Sequence, residues 1–354
     1  MEAQHCDILI VGAGPAGSSA AIAAANRGLK VLVVERRQSI GVPVRCAEYI
    51  PAPLLGEVKL GRDFVVQSVR GMKTVLPGGE IHDTRAPGFI IQRDVFDQTL
   101  AGAAGKAGAG VLAETRALTL DGSDVILRNR DRSTAKVRAT VIIGADGPHS
   151  TVGRWIGSVN RNMLPALQCR FPLVRPLNHT EVYFDREIYA GYGWIFPKGR
   201  EANVGIGMKH AGAGYPSMAE VFNRFISRLK KAGKIKGDPE GRTAGWIPVE
   251  PLRVTSRNQI LLAGDAAGQT HPITGAGVHQ AVVCGALAGE SAARAVEKGN
   301  MGLLSKYDIE WRDLFGQTLS RAVKRRQSME REWSRLEEII PDCWVAFKNY
   351  YDND

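Results

Sequence analysis

Cysteine is scarce and unpaired in this chain. Cys6, Cys46, Cys169, Cys284 and Cys343 are odd in number, scattered, and never spaced as C-x-x-C. That argues against a disulfide framework, a zinc site or a cysteine-held iron–sulfur cluster, and points to a reducing compartment. Long apolar runs are lacking too, because glycines and charges interrupt each one before the ~18 residues a spanning helix needs. "MEAQHCDILIVGAGPAG" has no basic leader followed by an apolar core, so a cytoplasmic protein is expected, with peripheral contact to an anionic membrane left open. Aromatic residues make up 7% of the chain and interleave with no basic stripe, so nucleic acid is not an expected partner. There is no internal repeat, low-complexity segment or flexible linker.

What is present belongs to a globular protein: 44% hydrophobic and 23% charged residues over 354 positions, enough for two domains of ~100 to 200 residues. The net charge of +10, with a basic cluster over 321–335, favours anionic partners such as a nucleotide, a diphosphate or a phospholipid.

The hydrophobic pattern changes twice along the chain. "DILIVG" (7–12) and "KVLVVE" (30–35) read as buried parallel strands around an alanine-rich helix at 15–27, a β-α-β unit. Helical spacing follows at 93–108, strands at 111–119 and 124–138, and another buried strand at 139–147. From about 160 to 255 the period becomes two, predicting strands at 166–173, 180–186, 192–196, 202–208 and 243–250 with one helix near 217–231. The chain then returns to α/β type with "QILLAGDAAG" (259–268) and a helix at 276–297, and 303–340 reads as helical and charged. The expected fold class is α/β: a Rossmann-type nucleotide-binding domain, 1–160 and 255–300, with an inserted, mainly antiparallel sheet domain for the substrate, 161–254, and a short helical C-terminal region, 301–354.

"VGAGPAG" places Gly12, Gly14 and Gly17 in G-x-G-x-x-G spacing between a strand and a helix. The first glycine makes the tight turn, the second admits a pyrophosphate and the third lets helix and strand approach, with the helix N-terminus facing the phosphates. Glu35 closes the second strand, where a carboxylate accepts ribose hydroxyls, and Arg36 follows as a further nucleotide-site candidate. A second glycine-rich loop, "AGDAAGQTHPITGAG" (263–277), carries Gly264, Asp265, Gly275 and Gly277 into another helix beginning near Val278. FAD needs such a second loop and a nicotinamide dinucleotide does not, so FAD is the expected cofactor, with no separate NAD(P)H domain and no metal. His271 and His279, flanking this loop, read as structural or solvent-exposed.

Together with the "GADGPHSTVGR" turn (144–154), these motifs resemble the FAD-dependent family that includes p-hydroxybenzoate hydroxylase and the geranylgeranyl reductases, over roughly residues 5 to 300. "GVPVRCAEYI" (41–50) and "YAGYGWIFP" (189–197) are similar to two stretches of the geranylgeranyl reductases in particular: one whose cysteine lies near the flavin ring, and a substrate-lining P-x-x-Y-x-W-x-F-P pattern. Tyr192, Trp194, Phe196 and Pro197 match that pattern, and Tyr189 stands where the family has proline. The resemblance implies FAD contacts at Ala16, Glu35, Cys46, Ala47, Arg93, Ala117, Asp265, Gly277 and Val278.

The resemblance also implies a reductase that saturates C=C bonds of an isoprenoid lipid or similar apolar substrate, with NAD(P)H or ferredoxin as external reductant. Such a reaction needs a hydride, a proton delivered to the neighbouring carbon, and a dry pocket. Cys46 is a candidate for proton delivery or substrate positioning, and equally for a small buried thiol that only packs. The rival readings are an aromatic monooxygenase, a flavin halogenase, whose W-x-W-x-I-P pattern is only partly met, and a flavoprotein relaying electrons to a quinone. The tail at 331–351, with Trp333, Leu336, Ile339 and Ile340 at helical spacing before Pro341, is expected to pack on its own domain, cap the substrate cavity or rest on a bilayer.

Overall fold

The computed structural model describes residues 3–58, 60–210, 212 and 214–352. In chain order the first half runs β1 (Gln4–Val11), α1 (Pro15–Ala25), β2 (Val31–Val34), β3 (Tyr49–Pro51), α2 (Leu54–Glu57), β4 (Val65–Val69), β5 (Met72–Val75), β6 (Ile81–Thr84), β7 (Gly88–Ile91), α3 (Arg93–Lys106), β8 (Gly110–Leu112), β9 (Arg116–Asp121), β10 (Asp124–Arg128), β11 (Thr134–Gly144) and α4 (Thr151–Trp155). The second half runs β12 (Met163–Pro172), β13 (Thr180–Tyr183), β14 (Tyr192–Lys198), β15 (Glu201–Gly207), α5 (Met218–Lys231), β16 (Glu240–Pro248), β17 (Ser256–Arg257), β18 (Ile260–Leu262), α6 (Val278–Glu297), α7 (Lys306–Arg331), α8 (Leu336–Cys343) and α9 (Asn349–Asp352).

Among the described residues the strands form three sheets. The first has the order β17-β18-β11-β1-β2-β8, with β9 and β10 added antiparallel to the early part of β11. Its central pairs, β2 with β1, β1 with β11 and β11 with β18, are parallel. Both faces are covered, which is why β1 and β2 read as unbroken apolar runs. Ile8, Ile10, Val31 and Val33 face a core shared with α1 and α6, while Leu9, Val11, Leu32 and Val34 face a second core behind the sheet.

Helices α1 and α6 lie against each other through small residues. A Cβ on Gly285 would fall 2.2 Å from the Ala16 carbonyl oxygen, and one on Gly289 would fall 2.3 Å from that of Ala20. Two turns of α6 therefore rest directly on the backbone of α1, with no side chain between them.

The second sheet, β16-β12-β15-β14-β13-β5-β6, is antiparallel except where β13 runs parallel to β5. One face packs on α5, an amphipathic helix opened by a capping box in which the Ser217 hydroxyl accepts from the Glu220 N–H and the Glu220 carboxylate accepts from the Ser217 N–H. The helix buries Val221, Phe222, Phe225, Ile226 and Leu229 against Leu167, Ile195, Val204 and Ile206 of the sheet. β3, β7 and β4 make the small third sheet.

Several sequence expectations are corrected. The strand expected at 111–119 is two strands, broken at Ala113–Thr115 where the backbone turns back to bond Glu35 and Arg37. The strands expected at 124–138 and 139–147 divide differently: the turn falls at 129–133, and one long strand, β11, serves the antiparallel meander first and the parallel sheet second. Pro341 lies inside α8 and does not end it. The sheet expected from 161–254 also recruits β5 and β6 from residues 72–84, which carry no clean alternation.

Candidate active site

The G-x-G-x-x-G turn has the conformation its glycines suggest. Gly12 has φ +104°, and a Cβ there would meet the Ala145 carbonyl oxygen at 2.3 Å; one on Gly17 would meet the Gly12 carbonyl oxygen at 1.8 Å. Gly14 is different, for nothing lies within 4 Å of where its Cβ would stand. It is the N-cap of α1, with Pro15 at the first helical position, so an unfilled space lies over a helix N-terminus. Just past β2, the Glu35 carboxylate accepts from the N–H groups of Ala13 and Arg37, both at 3.0 Å. Each oxygen keeps acceptor capacity for a ribose hydroxyl. Arg36 is exposed beside it, and Ala117 is buried in β9.

At the other end of this groove the second loop folds on itself. Asp265 is half-buried and its carboxyl accepts from the Thr270 hydroxyl at 3.0 Å. A Cβ on Gly277 would stand 3.3 Å from the same carboxylate oxygen and 3.2 Å from Thr270 Oγ1. Gly264, with φ +66°, sits on Ala16, which brings this loop to the first turn of α1. Gly275 has φ +68°, and Gly277 caps α6 before Val278.

Arg93, at the start of α3, joins the remaining candidates. Its Nε donates to Asp97 Oδ1 at 2.7 Å, and its charge acts on the Cys46 thiol and on Asp265. Burial pushes the Cys46 thiol above its ordinary pKa and the Arg93 charge opposes that rise. Burial likewise raises the Asp265 and Asp97 carboxyls, Arg93 opposing in both cases. Cys46, Arg93 and Asp265, remote in sequence, thus share one half-buried region. The residues present fit FAD: a glycine cradle with space above it, a carboxylate held for a ribose, and a second loop opening a helix.

The pairing register brings the aromatic strand to this region. Trp194 lies opposite Gly205 and Gly205 opposite Gln168; Phe196 lies opposite Asn203. Directly paired residues share a face, so Tyr192, Trp194, Phe196 and Lys198 stand on one side of the sheet with Gln168 and Asn203. Gly193 and Ile195 face α5, where a Cβ on Gly193 would strike the Phe225 ring at 2.7 Å. On the aromatic face the Gln168 amide donates to the Cys46 carbonyl at 2.8 Å, and the Asn203 amide donates to the Ala47 carbonyl at 3.2 Å. The sheet therefore holds Cys46 and Ala47 on the face that carries the aromatic side chains. Trp194 lies flat over Gly205, and its buried indole N–H has no acceptor among the described residues.

The ends of the aromatic stretch have other neighbours. Tyr192 donates to the Thr274 carbonyl at 2.5 Å, tying the sheet to the second loop, and its ring meets Trp344 with centroids 5.2 Å apart. Tyr189, ahead of β14, donates to the Glu330 carbonyl at 3.2 Å and packs edge-on against Trp333. Phe196 meets Tyr49 edge-on; Pro197, expected on the substrate wall, is paired with Ala202 and stands on the α5 side of the sheet with Gly193 and Ile195, because side chains alternate along the strand. The C-terminal helices cover the Tyr192 end of the face: Trp344 is 1% exposed and donates to Thr74 Oγ1 at 2.9 Å.

Sequence reasoning missed Glu48, Asp97, Gln168, Lys198 and Asn203. Single polar residues carry no motif: only the register puts Gln168, Lys198 and Asn203 on one face, and only the fold brings Glu48 and Asp97 to Arg93. His271 is buried, accepts from the Thr274 N–H at 3.2 Å through Nδ1 and meets the Tyr350 hydroxyl at 3.3 Å, so its structural reading is the one the contacts favour.

Residues 7–147 match the FAD dependent oxidoreductase family model, and residues 175–237 match that of the geranylgeranyl reductase catalytic domain. A digeranylgeranylglycerophospholipid reductase of Methanothrix thermoacetophila is 36% identical over 91% of this chain and 87% of its own. One of Methanosarcina acetivorans is also 36% identical, over 97% of this chain and 86% of its own. The crystal structure of a geranylgeranyl bacteriochlorophyll reductase-like protein from Thermoplasma acidophilum superposes with a TM-score of 0.88 at 29% identity, covering 98% of this chain and 93% of that one. A flavin-dependent brominase shares the fold at a TM-score of 0.75 and 18% identity, over 97% of this chain and 91% of its own.

Proposed function

This chain belongs to the geranylgeranyl reductase family of FAD-dependent oxidoreductases, and on that premise we propose that it saturates C=C bonds of a geranylgeranyl-type isoprenoid lipid. The observation that carries the reading is the shared face: Cys46, held by Gln168, stands on the side of the sheet that presents Trp194 and Phe196. Bound FAD supplies the hydride.

The rest is done by the chain. Gly12, Gly14, Ala16 and Gly17 hold the pyrophosphate, Glu35 the adenosine ribose with Arg36 beside it, and Ala117 the adenine side. Arg93, Gly264, Asp265, Gly275, Gly277 and Val278 hold the flavin end, with Cys46 and Ala47 beside the ring. Tyr192, Trp194 and Phe196 orient the alkene and exclude water, and Tyr189 sets the far limit of the wall. Cys46, kept protonated by burial, has a proton to give at Sγ. Residues 1–160 and 255–300 thus serve the cofactor and 161–254 with β5 and β6 the substrate, while 301–354 covers the site.

The external reductant in this reading is NAD(P)H or ferredoxin. The positive net charge supports contact with an anionic phospholipid surface from the cytoplasmic side, and among the described residues no helix is long and apolar enough to cross a membrane. The test is anaerobic: the purified, FAD-loaded protein is reduced with dithionite and mixed with geranylgeranyl lipids, an aromatic acid or a quinone. Reoxidation by the lipid with appearance of saturated product is the expected result; reoxidation by the quinone or by none of them overturns the reading.

A further inference from the structure

Glu48 is a buried carboxylate that neither the cofactor nor the substrate reading uses. It is 2% exposed and has φ +70°, a left-handed conformation that is unfavourable for a residue other than glycine. A carboxylate in such a place needs partners, and it has three from different elements. Oε1 accepts from the Arg93 N–H of α3 at 3.0 Å; Oε2 accepts from Lys198 Nζ at 2.7 Å and from the Asn203 amide at 2.8 Å. Its own N–H donates to Cys46 Sγ at 3.2 Å.

Lys198 is the last residue of β14 and stands on the same face as Trp194 and Phe196. The ion pair therefore ties the end of the aromatic strand to the segment that carries the thiol, and through Arg93 N–H to the cofactor side. The left-handed conformation at residue 48 is held by these side-chain contacts together with the Ile91 N–H on its carbonyl, while the Gln168 and Asn203 amides hold the Cys46 and Ala47 carbonyls.

We propose that Glu48 and Lys198 are positioning residues, an ion-paired latch that fixes the Cys46–Ala47 segment at a set distance from the aromatic wall. The proposal rests on the reading of that wall and Cys46 as the reaction site, but its geometric part does not need a substrate. Opening the latch frees the segment without removing any group that touches the reacting atoms.

The test compares Lys198→Met, Lys198→Arg and the double variant Glu48→Gln/Lys198→Met, which removes both charges together and leaves no lone buried ion. Two quantities are read on FAD-loaded protein: the rate of iodoacetamide alkylation at Cys46, assigned with Cys46→Ala, and anaerobic turnover of a geranylgeranyl lipid. Cys46 is the half-buried cysteine, the other four being buried, so its labelling stands apart. Opening the latch is expected to raise alkylation about tenfold and to lower kcat about tenfold or more, with KM changed less than about threefold, as misplacement by an ångström does. Lys198→Arg restores both. Wild-type alkylation and wild-type kcat in Lys198→Met, or in the double variant if the single one does not fold, overturn the latch. Altered alkylation in a protein that turns over no lipid supports the latch and sinks the reductase reading instead.

Discussion

At the scale of single residues, the cofactor end of the site depends on few groups with little redundancy. Glu35 takes two backbone N–H bonds at 3.0 Å and, in the function proposed above, is the acceptor for the ribose. Replacing it with alanine strands the Ala13 and Arg37 donors and removes the ribose contact. One charge-assisted bond is worth about 1.5–3 kcal/mol, so Glu35→Ala should weaken FAD retention at least about tenfold, read by flavin fluorescence released on dilution. Gly12, Gly14, Gly17 and Glu35 were legible in the sequence because a fixed spacing with a strand before and a helix after states the geometry outright. Glu48, Lys198 and Asn203 were not. They act through a register that joins residues about 150 positions apart, and no local pattern marks a carboxylate that will be buried by such pairing.

At the scale of elements, β1, β2 and the helices α1, α3, α5 and α6 were readable because period and caps are local properties. The strands between Tyr49 and Ile91 were not readable, being three to five residues long with half-exposed patterns such as that of Ile81–Thr84. Also hidden was the crossing of α1 and α6, where Gly285 and Gly289 are required by the neighbour and not by their own helix. Gly285→Val places new atoms against the Ala16 carbonyl, which is backbone and cannot swing away. Overpacking of this kind costs about 1–3 kcal/mol and more where nothing yields. The variant should show a lower urea midpoint and a loss of bound FAD together, because Ala16 lies in the first turn of the helix that faces the pyrophosphate; a lower midpoint with FAD retained would show that α1 moves as a rigid piece.

At the scale of the whole molecule, the second glycine loop is a knot between regions. His271 meets Tyr350 of the C-terminal region, Thr274 accepts from Tyr192 of the sheet, and the buried guanidinium of Arg326 donates to the carbonyls of Pro272 and Ala190. Burial lowers the His271 pKa from 6.5 to about 4. In the unfolded chain this imidazole takes a proton as pH falls through 6.5, whereas the folded protein refuses it until about 4. The contribution to stability is therefore whole above pH 6.5 and is lost progressively between 6.5 and 4. Urea unfolding at pH 7 and pH 4.5 should differ by about 2 kcal/mol more in the wild type than in His271→Gln. Equal differences would place the acid sensitivity elsewhere.

The parallel pairing of β11 with β18 joins Ile142–Gly144 to Ile260–Leu262, and one face of α1 is closed by α6, where Gly285 and Gly289 lie on its backbone. During synthesis β11 therefore leaves the ribosome with one edge unpaired and α1 with its α6 side uncovered. At about 5–20 residues per second the wait for β18 is on the order of ten seconds. Through that interval the most apolar strands of the nascent chain, Ile142 and Ile143 among them, are open to whatever else can pair with them. The nucleotide-binding half begins at the first residues of the chain and is among the last parts to be finished, which makes it the region where a chaperone would be needed.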